Sequence, residues 1–371
     1  MPERARTTAV DLVRLLALIG ICLVNIVFLG MPADAIFTPP DALSDRAAVF
    51  GIEFLFQSKF FLLFSFLFGW GIYVQDASAR RAGVSFSGRY ARRLAALAVF
   101  GCMHAVLVFT GDILLIYALL GLLIWPLQGL NARQLVRVGY AMLPVALVGF
   151  AALAFILGEP GIGVAHDGLG GSFAEATMAR LRDWPGTLFF LLLFQGPLAF
   201  GAFAFGLAAG KSGFFERHSV GRNALRRALP WLLVVGMPFN IGYAAALGGL
   251  IPQEQELLSL AGFVGIAPGG PAFSAVYLHL MLRVDDRWQL PDLLVAAGRN
   301  SLSIYVLQGV IAGFVFGGYG LGLFGEVGFA TLVPIGLAVA VLAILLVGLV
   351  AQRTGRGPLE ALLRRITYLG G

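Results

Sequence analysis

Cysteine is nearly missing from this 371-residue chain: there are two, Cys22 and Cys102, and both fall inside apolar runs, which excludes a disulfide framework. Charge is scarce as well. Charged residues make up 12% of the chain and hydrophobic ones 59%, whereas a soluble domain carries about 25% charged residues. Four histidines and no Cys/His cluster argue against a structural metal site, so no metal is expected. What remains is the composition of a polytopic membrane protein, with membrane lipids as its surroundings. The net charge of +6 does not point to nucleic acid, because the basic residues have a topological explanation.

Apolar stretches of about 20 residues, enough to cross a bilayer, recur near 10–30, 50–74, 93–110, 112–128, 135–157, 186–209, 228–250, 256–282, 292–317 and 327–351. The expected fold is all-α: a transmembrane helical bundle of about ten spans, one domain over 1–371. Arg4, Arg6, the apolar run from Leu15 and Ala33-Asp34-Ala35 imitate a secretory signal, but Asp11 and Arg14 enter the run. It reads as an uncleaved first span. With the N-terminus in the cytoplasm, 22 of the 26 Lys and Arg fall on the inner side. Only Arg46, Arg180 and Arg182 fall outside, and Lys59 lies within a span. That asymmetry places both termini in the cytoplasm. Residues 158–185 read as an extracytoplasmic loop, within which Ser172 caps a short interfacial helix. Residues 357–371 read as an amphipathic helix on the inner face, with Leu359, Leu362, Leu363 and Ile366 towards lipid.

The centre of the pattern is residues 92–128, two apolar runs meeting at Thr110-Gly111-Asp112. Free backbone groups are intolerable in lipid, so the runs form an antiparallel helical hairpin. His104 and Asp112 sit in it, with Asp112 at an extracytoplasmic tip and His104 in the outer half of the membrane. An ionisable group at that depth marks a cavity, an ion path or a reaction centre, or else bonds a neighbouring helix. Other polar groups also enter spans. Asp11 and Arg14, at i,i+3, pair as an anchor or bind a ligand, and Asn25 further along lines a polar cavity. Lys59 snorkels towards Glu53 or faces a cavity. Gln195-Gly196-Pro197 kinks its helix or opens a site. Arg299, with Asn300, Ser303 and Tyr305, anchors at the interface or receives an anion from the cytoplasm.

Taken in order, DLVRLLALIGICLVNI, SKFFLLFSFLFGWG, RRLAALAVFGCMHAVLVFTGDILLIYALLGLL, QGPLAFGAFAFG, GRNSLSIYVLQ and GPLEALLRRITY resemble the YeiB-like family of bacterial inner-membrane proteins. The likeness covers nearly the whole chain. That family is in turn similar to the transmembrane acyltransferases, the group that includes heparan-α-glucosaminide N-acetyltransferase. The resemblance implies transfer of an acyl group from cytosolic acyl-CoA, such as acetyl-CoA, to an acceptor on the far side, often a sugar. It further implies a catalytic His, and His104 is the matching position. In that reading Asp112 orients the imidazole or binds the acceptor, Lys59 stabilises an oxyanion, and Arg92, Arg93 and Arg299 attract the phosphates of CoA. A small-metabolite transporter or channel lined by the same residues is the competing reading. Oligomeric state stays open, a homo-oligomer included, because packing and lipid surfaces are both apolar.

Overall fold

The computed structural model describes residues 2–157, 169–252 and 255–369. Among these, every regular element is a helix. The first half holds α1 (Pro2–Gly30), α2 (Ala33–Phe37), α3 (Leu43–Leu55), α4 (Phe60–Arg81), α5 (Phe86–Leu107), α6 (Leu114–Ile124) and α7 (Ala132–Leu157). The second half holds α8 (Phe173–Phe194), α9 (Gly196–Lys211), α10 (Val220–Leu247), α11 (Glu256–Asp285), α12 (Asp292–Gly298), α13 (Ser301–Phe316), α14 (Phe329–Thr354) and α15 (Pro358–Thr367).

Each of the ten apolar stretches coincides with a helix or a helix pair, but length separates them. Seven are long and apolar enough to cross a membrane, the second being Leu43–Arg81, which takes in both α3 and α4. The pair α8 and α9, bent by 52° at Gln195, raises the number to eight. The two remaining apolar stretches are shorter helices, Leu114–Gly129 and Ser301–Phe316. With 11 residues, α6 rises only about 16 Å, roughly half of a hydrocarbon core. Its partner in length, α13, has 16 residues.

The loop boundary is corrected too. Residues 158–168, its Gly-rich opening, lie outside the described residues, and the helix expected to be short continues through Pro185 to Phe194. A capping box starts it: Ser172 Oγ accepts the Glu175 amide, and the Glu175 carboxylate accepts the Ser172 amide. Burial of Ala176, Ala179 and Arg180 then holds the helix against its neighbours, so the proline lies within it rather than ending it.

Small residues set the closest packing. A Cβ on Gly69 of α4 would run into the Phe203 carbonyl, and one on Gly206 of α9 into the Phe66 carbonyl. The similar strings Phe66-Leu67-Phe68-Gly69 and Phe203-Ala204-Phe205-Gly206 therefore pack reciprocally, backbone on backbone. Phe68 and Phe203 stack across the same contact, with ring centroids 4.6 Å apart. At one end of the bundle, the Gly325 amide donates to Gly30 and the Ala330 amide to Asp45. At the other, Arg-rich end, α15 is docked on α5 and α13 rather than turned wholly to lipid. Leu363 is buried and Leu359 and Ile366 pack on the core, which leaves Leu362 exposed.

Candidate functional site

The α5–α6 hairpin is zipped more tightly than its sequence alone indicates. A Cβ on Gly101 would collide with the Leu115 amide nitrogen, so only glycine allows α6 to begin this close to α5. Asp112 Oδ1 accepts the amides of Leu114 (2.8 Å) and Leu115 (3.1 Å), capping α6. Its other oxygen, Oδ2, lies 2.9 Å from His104 Nδ1 and accepts the Tyr305 hydroxyl at 3.4 Å. The Tyr305 hydroxyl also accepts the Ile113 amide. The turn is not a surface tip. Phe109, Asp112 and Ile113 are all buried, and Asp112 is 2% exposed. Asp112, at the tip of the hairpin, is therefore covered by protein.

A carboxylate accepts and cannot donate, so Nδ1 carries the imidazole proton and Nε2 presents a lone pair. Nε2 is buried and has no hydrogen-bond partner among the described residues. It faces α13 at Gly309, where a Cβ would stand 2.9 Å from it. The imidazole opens on a cavity of about 270 Å³ whose polar lining includes Asn25, Tyr305 and Gln308 beside Cys22 and Gly309. A second cavity of about 340 Å³ shares Leu29 and Phe109 with the first. Its walls are mostly apolar and Arg180 is the charged residue in them.

The other residues singled out from the sequence divide into three groups. Asn25 and Tyr305 join His104 and Asp112. For Tyr305 this is a correction, because it was grouped with Arg299 as an anion receptor. Its side chain instead turns along α13 to the hairpin, 5.0 Å from the His104 ring. The second group lies at the Arg-rich end and is largely engaged within the protein. Asp11, almost wholly buried, accepts from Arg14 (3.3 Å) and Arg299 (3.2 Å). Glu360 of α15 sits on the N-terminus of α13, accepting the amides of Leu302 and Ser303 and the Ser303 hydroxyl. Asn300 accepts the Gly357 amide. The Ser303 and Asn300 positions expected to take an incoming anion thus hold the chain's own carboxylate and backbone. Arg92 donates to the Thr367 carbonyl, while Arg93 Nε is buried without a partner.

Lys59 and Gln195 form the third group, apart from either cavity. Lys59 is fully buried at the break between α3 and α4, where Ser58 adopts a left-handed conformation with φ 63°. Its ammonium donates to the Glu53 carbonyl at 2.8 Å. Among the described contacts, none joins Lys59 to His104 or Asp112, which removes the basis for an oxyanion role. Gln195 marks the bend between α8 and α9.

Gln308, Gly309, Ala312 and Arg180 escaped the sequence reading as site residues. Tyr305, Gln308, Gly309 and Ala312 line the first cavity at i, i+3, i+4 and i+7 of α13, a helical face that the sequence contained. Arg180 carried a signal as well, being one of few basic residues on the sparsely basic side.

Residues 209–370 match the family model described as "Protein of unknown function (DUF418)". The chain is 27% identical to the uncharacterized protein YeiB of Escherichia coli (strain K12), with 98% of this chain and 96% of YeiB aligned. The chain is similar to YeiB along nearly its whole length. The uncharacterized protein YxaH of Bacillus subtilis (strain 168) is 29% identical over 98% of this chain and 94% of its own length. An uncharacterized 39.9 kDa protein from the amylase 3′ region of Bacillus acidopullulyticus is 26% identical over the same shares. No solved structure matches. The YeiB-like resemblance therefore holds along the chain, and it comes with several apolar helices suited to a membrane.

Proposed function

We propose that this protein is an acyltransferase of the bacterial cytoplasmic membrane. It moves an acyl group from acyl-CoA to a hydroxyl or amine of an acceptor, a sugar or glycolipid being the class its resemblance implies. One observation carries the reading: His104 is held by Asp112 at 2.9 Å with its Nε2 lone pair unengaged and facing a cavity. Acyl transfer needs a base of this kind, oriented by a buried carboxylate. Nε2 takes the proton from the acceptor as its oxygen or nitrogen attacks the thioester carbonyl carbon. The carbon–sulfur bond then breaks and the proton passes from Nε2 to the departing thiolate. The carboxylate of Asp112 stabilises the imidazolium in between. Asn25, rather than Lys59, is the polar group placed to meet the developing oxyanion.

The phosphates of CoA are assigned to the Arg-rich end, where Arg93 keeps an unpartnered Nε. From Arg93 to His104 is 11 residues of α5, about 17 Å of helix rise. That is comparable with the reach of an extended pantetheine arm. The charge asymmetry of the sequence supports a cytoplasmic position for this end. The test is thioester loss from acetyl-CoA by detergent-purified protein, alone and with added sugar acceptors, beside His104→Ala. Slow loss that depends on His104 and accelerates with an acceptor is the expected result. Equal loss in His104→Ala, or solute flux in proteoliposomes with no thioester consumed, would reject acyl transfer, the latter in favour of transport.

A further inference from the structure

Arg180 is a buried cation with no counter-ion among the described residues. It is 5% exposed, and its guanidinium donates to two neutral acceptors, the Leu107 carbonyl (3.0 Å) and the Tyr319 hydroxyl (3.5 Å). Removing a guanidinium from water without an anion costs several kcal/mol or more, so a buried arginine is ordinarily matched by a carboxylate or phosphate. At the basic end, Asp11 does this for the largely buried Arg14. Among the described residues, Arg180 borders a cavity instead. Arg180 lines the second cavity, whose other walls include Phe28, Leu29, Phe109 and Phe316. Leu29 and Phe109 are shared with the cavity of His104. The planar fork of arginine matches a phosphate or carboxylate, and the walls match hydrocarbon.

We infer that Arg180 binds the anionic headgroup of an amphiphilic substrate, a phosphate or carboxylate attached to an apolar chain, and sets it beside His104. The assignment rests on the proposed transfer for calling this molecule the acceptor, but the binding site stands on its own geometry. Loss of Arg180 leaves the Leu107 carbonyl at the end of α5 with one bond fewer, so Arg180→Lys accompanies Arg180→Gln as the milder variant.

The probes are octyl phosphate, octanoate and the neutral octyl glucoside, titrated into protein purified in dodecyl maltoside and followed by thermal shift. The wild type is expected to bind an anionic probe at least about tenfold more tightly than octyl glucoside, in line with a charge-assisted contact worth about 1.4 kcal/mol or more. Arg180→Gln should remove that preference, Arg180→Lys should keep part of it, and Arg182→Gln, at an exposed position, should leave it intact. Preference for octyl phosphate or for octanoate names the headgroup. Equal binding of charged and neutral probes by the wild type overturns the inference whatever the variants do. Unchanged preference in folded Arg180→Gln also overturns it. His104→Ala should bind the anionic probe normally. Headgroup preference without thioester turnover would therefore sink the transfer reading and spare this site, and turnover without headgroup preference would do the reverse.

Discussion

Replacing Asp112 with Asn tests the site most sharply, because it changes the direction of one hydrogen bond with little change of shape. Asp112 Oδ1 caps α6 through the Leu114 and Leu115 amides, and an Asn oxygen keeps both bonds. At the Oδ2 position an amide NH2 replaces an acceptor. It cannot accept from His104 Nδ1, so the imidazole gives up the Nδ1 proton, accepts there instead, and protonates Nε2. The lone pair facing the cavity is lost. In hydrolases built on a buried Asp–His pair, this tautomer error costs about 10⁴-fold in turnover. A similar loss of thioester turnover is expected here, with a destabilisation of only about 1–2 kcal/mol for the weakened bond. Asp112→Ala would behave differently, uncapping α6 and leaving buried amides unpaired, at about 4 kcal/mol. The assay is acetyl-CoA consumption together with ¹⁵N spectra of histidine-labelled protein. There are four histidines in the chain, so His104→Ala assigns the signal. An Asp112→Asn protein that kept the Nδ1–H tautomer and turned over within tenfold of the wild type would refute the argument.

Gly309→Ala puts a methyl group 2.9 Å from His104 Nε2 and 2.7 Å from Val108 Cγ1. Turnover should fall at least about tenfold while the melting transition drops by no more than the 1–3 kcal/mol of an overpacked core, measured by thioester loss and thermal unfolding. Lys59→Met replaces a buried ammonium, bonded to the Glu53 carbonyl, with an apolar chain of similar length. Stability should fall by about 3–5 kcal/mol, because the buried Glu53 beside it loses its cationic partner, while turnover of the folded protein stays unaffected; a large loss of turnover would restore a catalytic role for Lys59. Glu360→Ala removes the carboxylate that holds the first amides of α13. It should loosen α15, read as faster limited proteolysis after Arg364 and Arg365, with a cost of about 2–4 kcal/mol.

The sequence by itself determined the helical class, the positions of the apolar segments and the residues whose burial would be unusual. Each of these depends on local composition: a run of apolar side chains must leave water whatever it packs against, and an imidazole inside such a run is conspicuous before any neighbour is known. His104 and Asp112 were legible for that reason. Their bond was not, because eight residues and a turn separate them, and it depends on Gly101 letting α6 begin against α5. The burial of the turn was not legible either, since Thr110, Gly111 and Asp112 carry no apolar signal of their own. Tertiary structure also separated residues of like type. Tyr305 turns to Asp112, whereas Ser303, two positions earlier, receives Glu360 from 57 residues away. Lys59 looked like a catalytic cation, and Arg180 looked like an ordinary loop arginine. Spacing along a chain fixes which face of a helix a side chain occupies, but only the packing of one helix on another decides what that face meets.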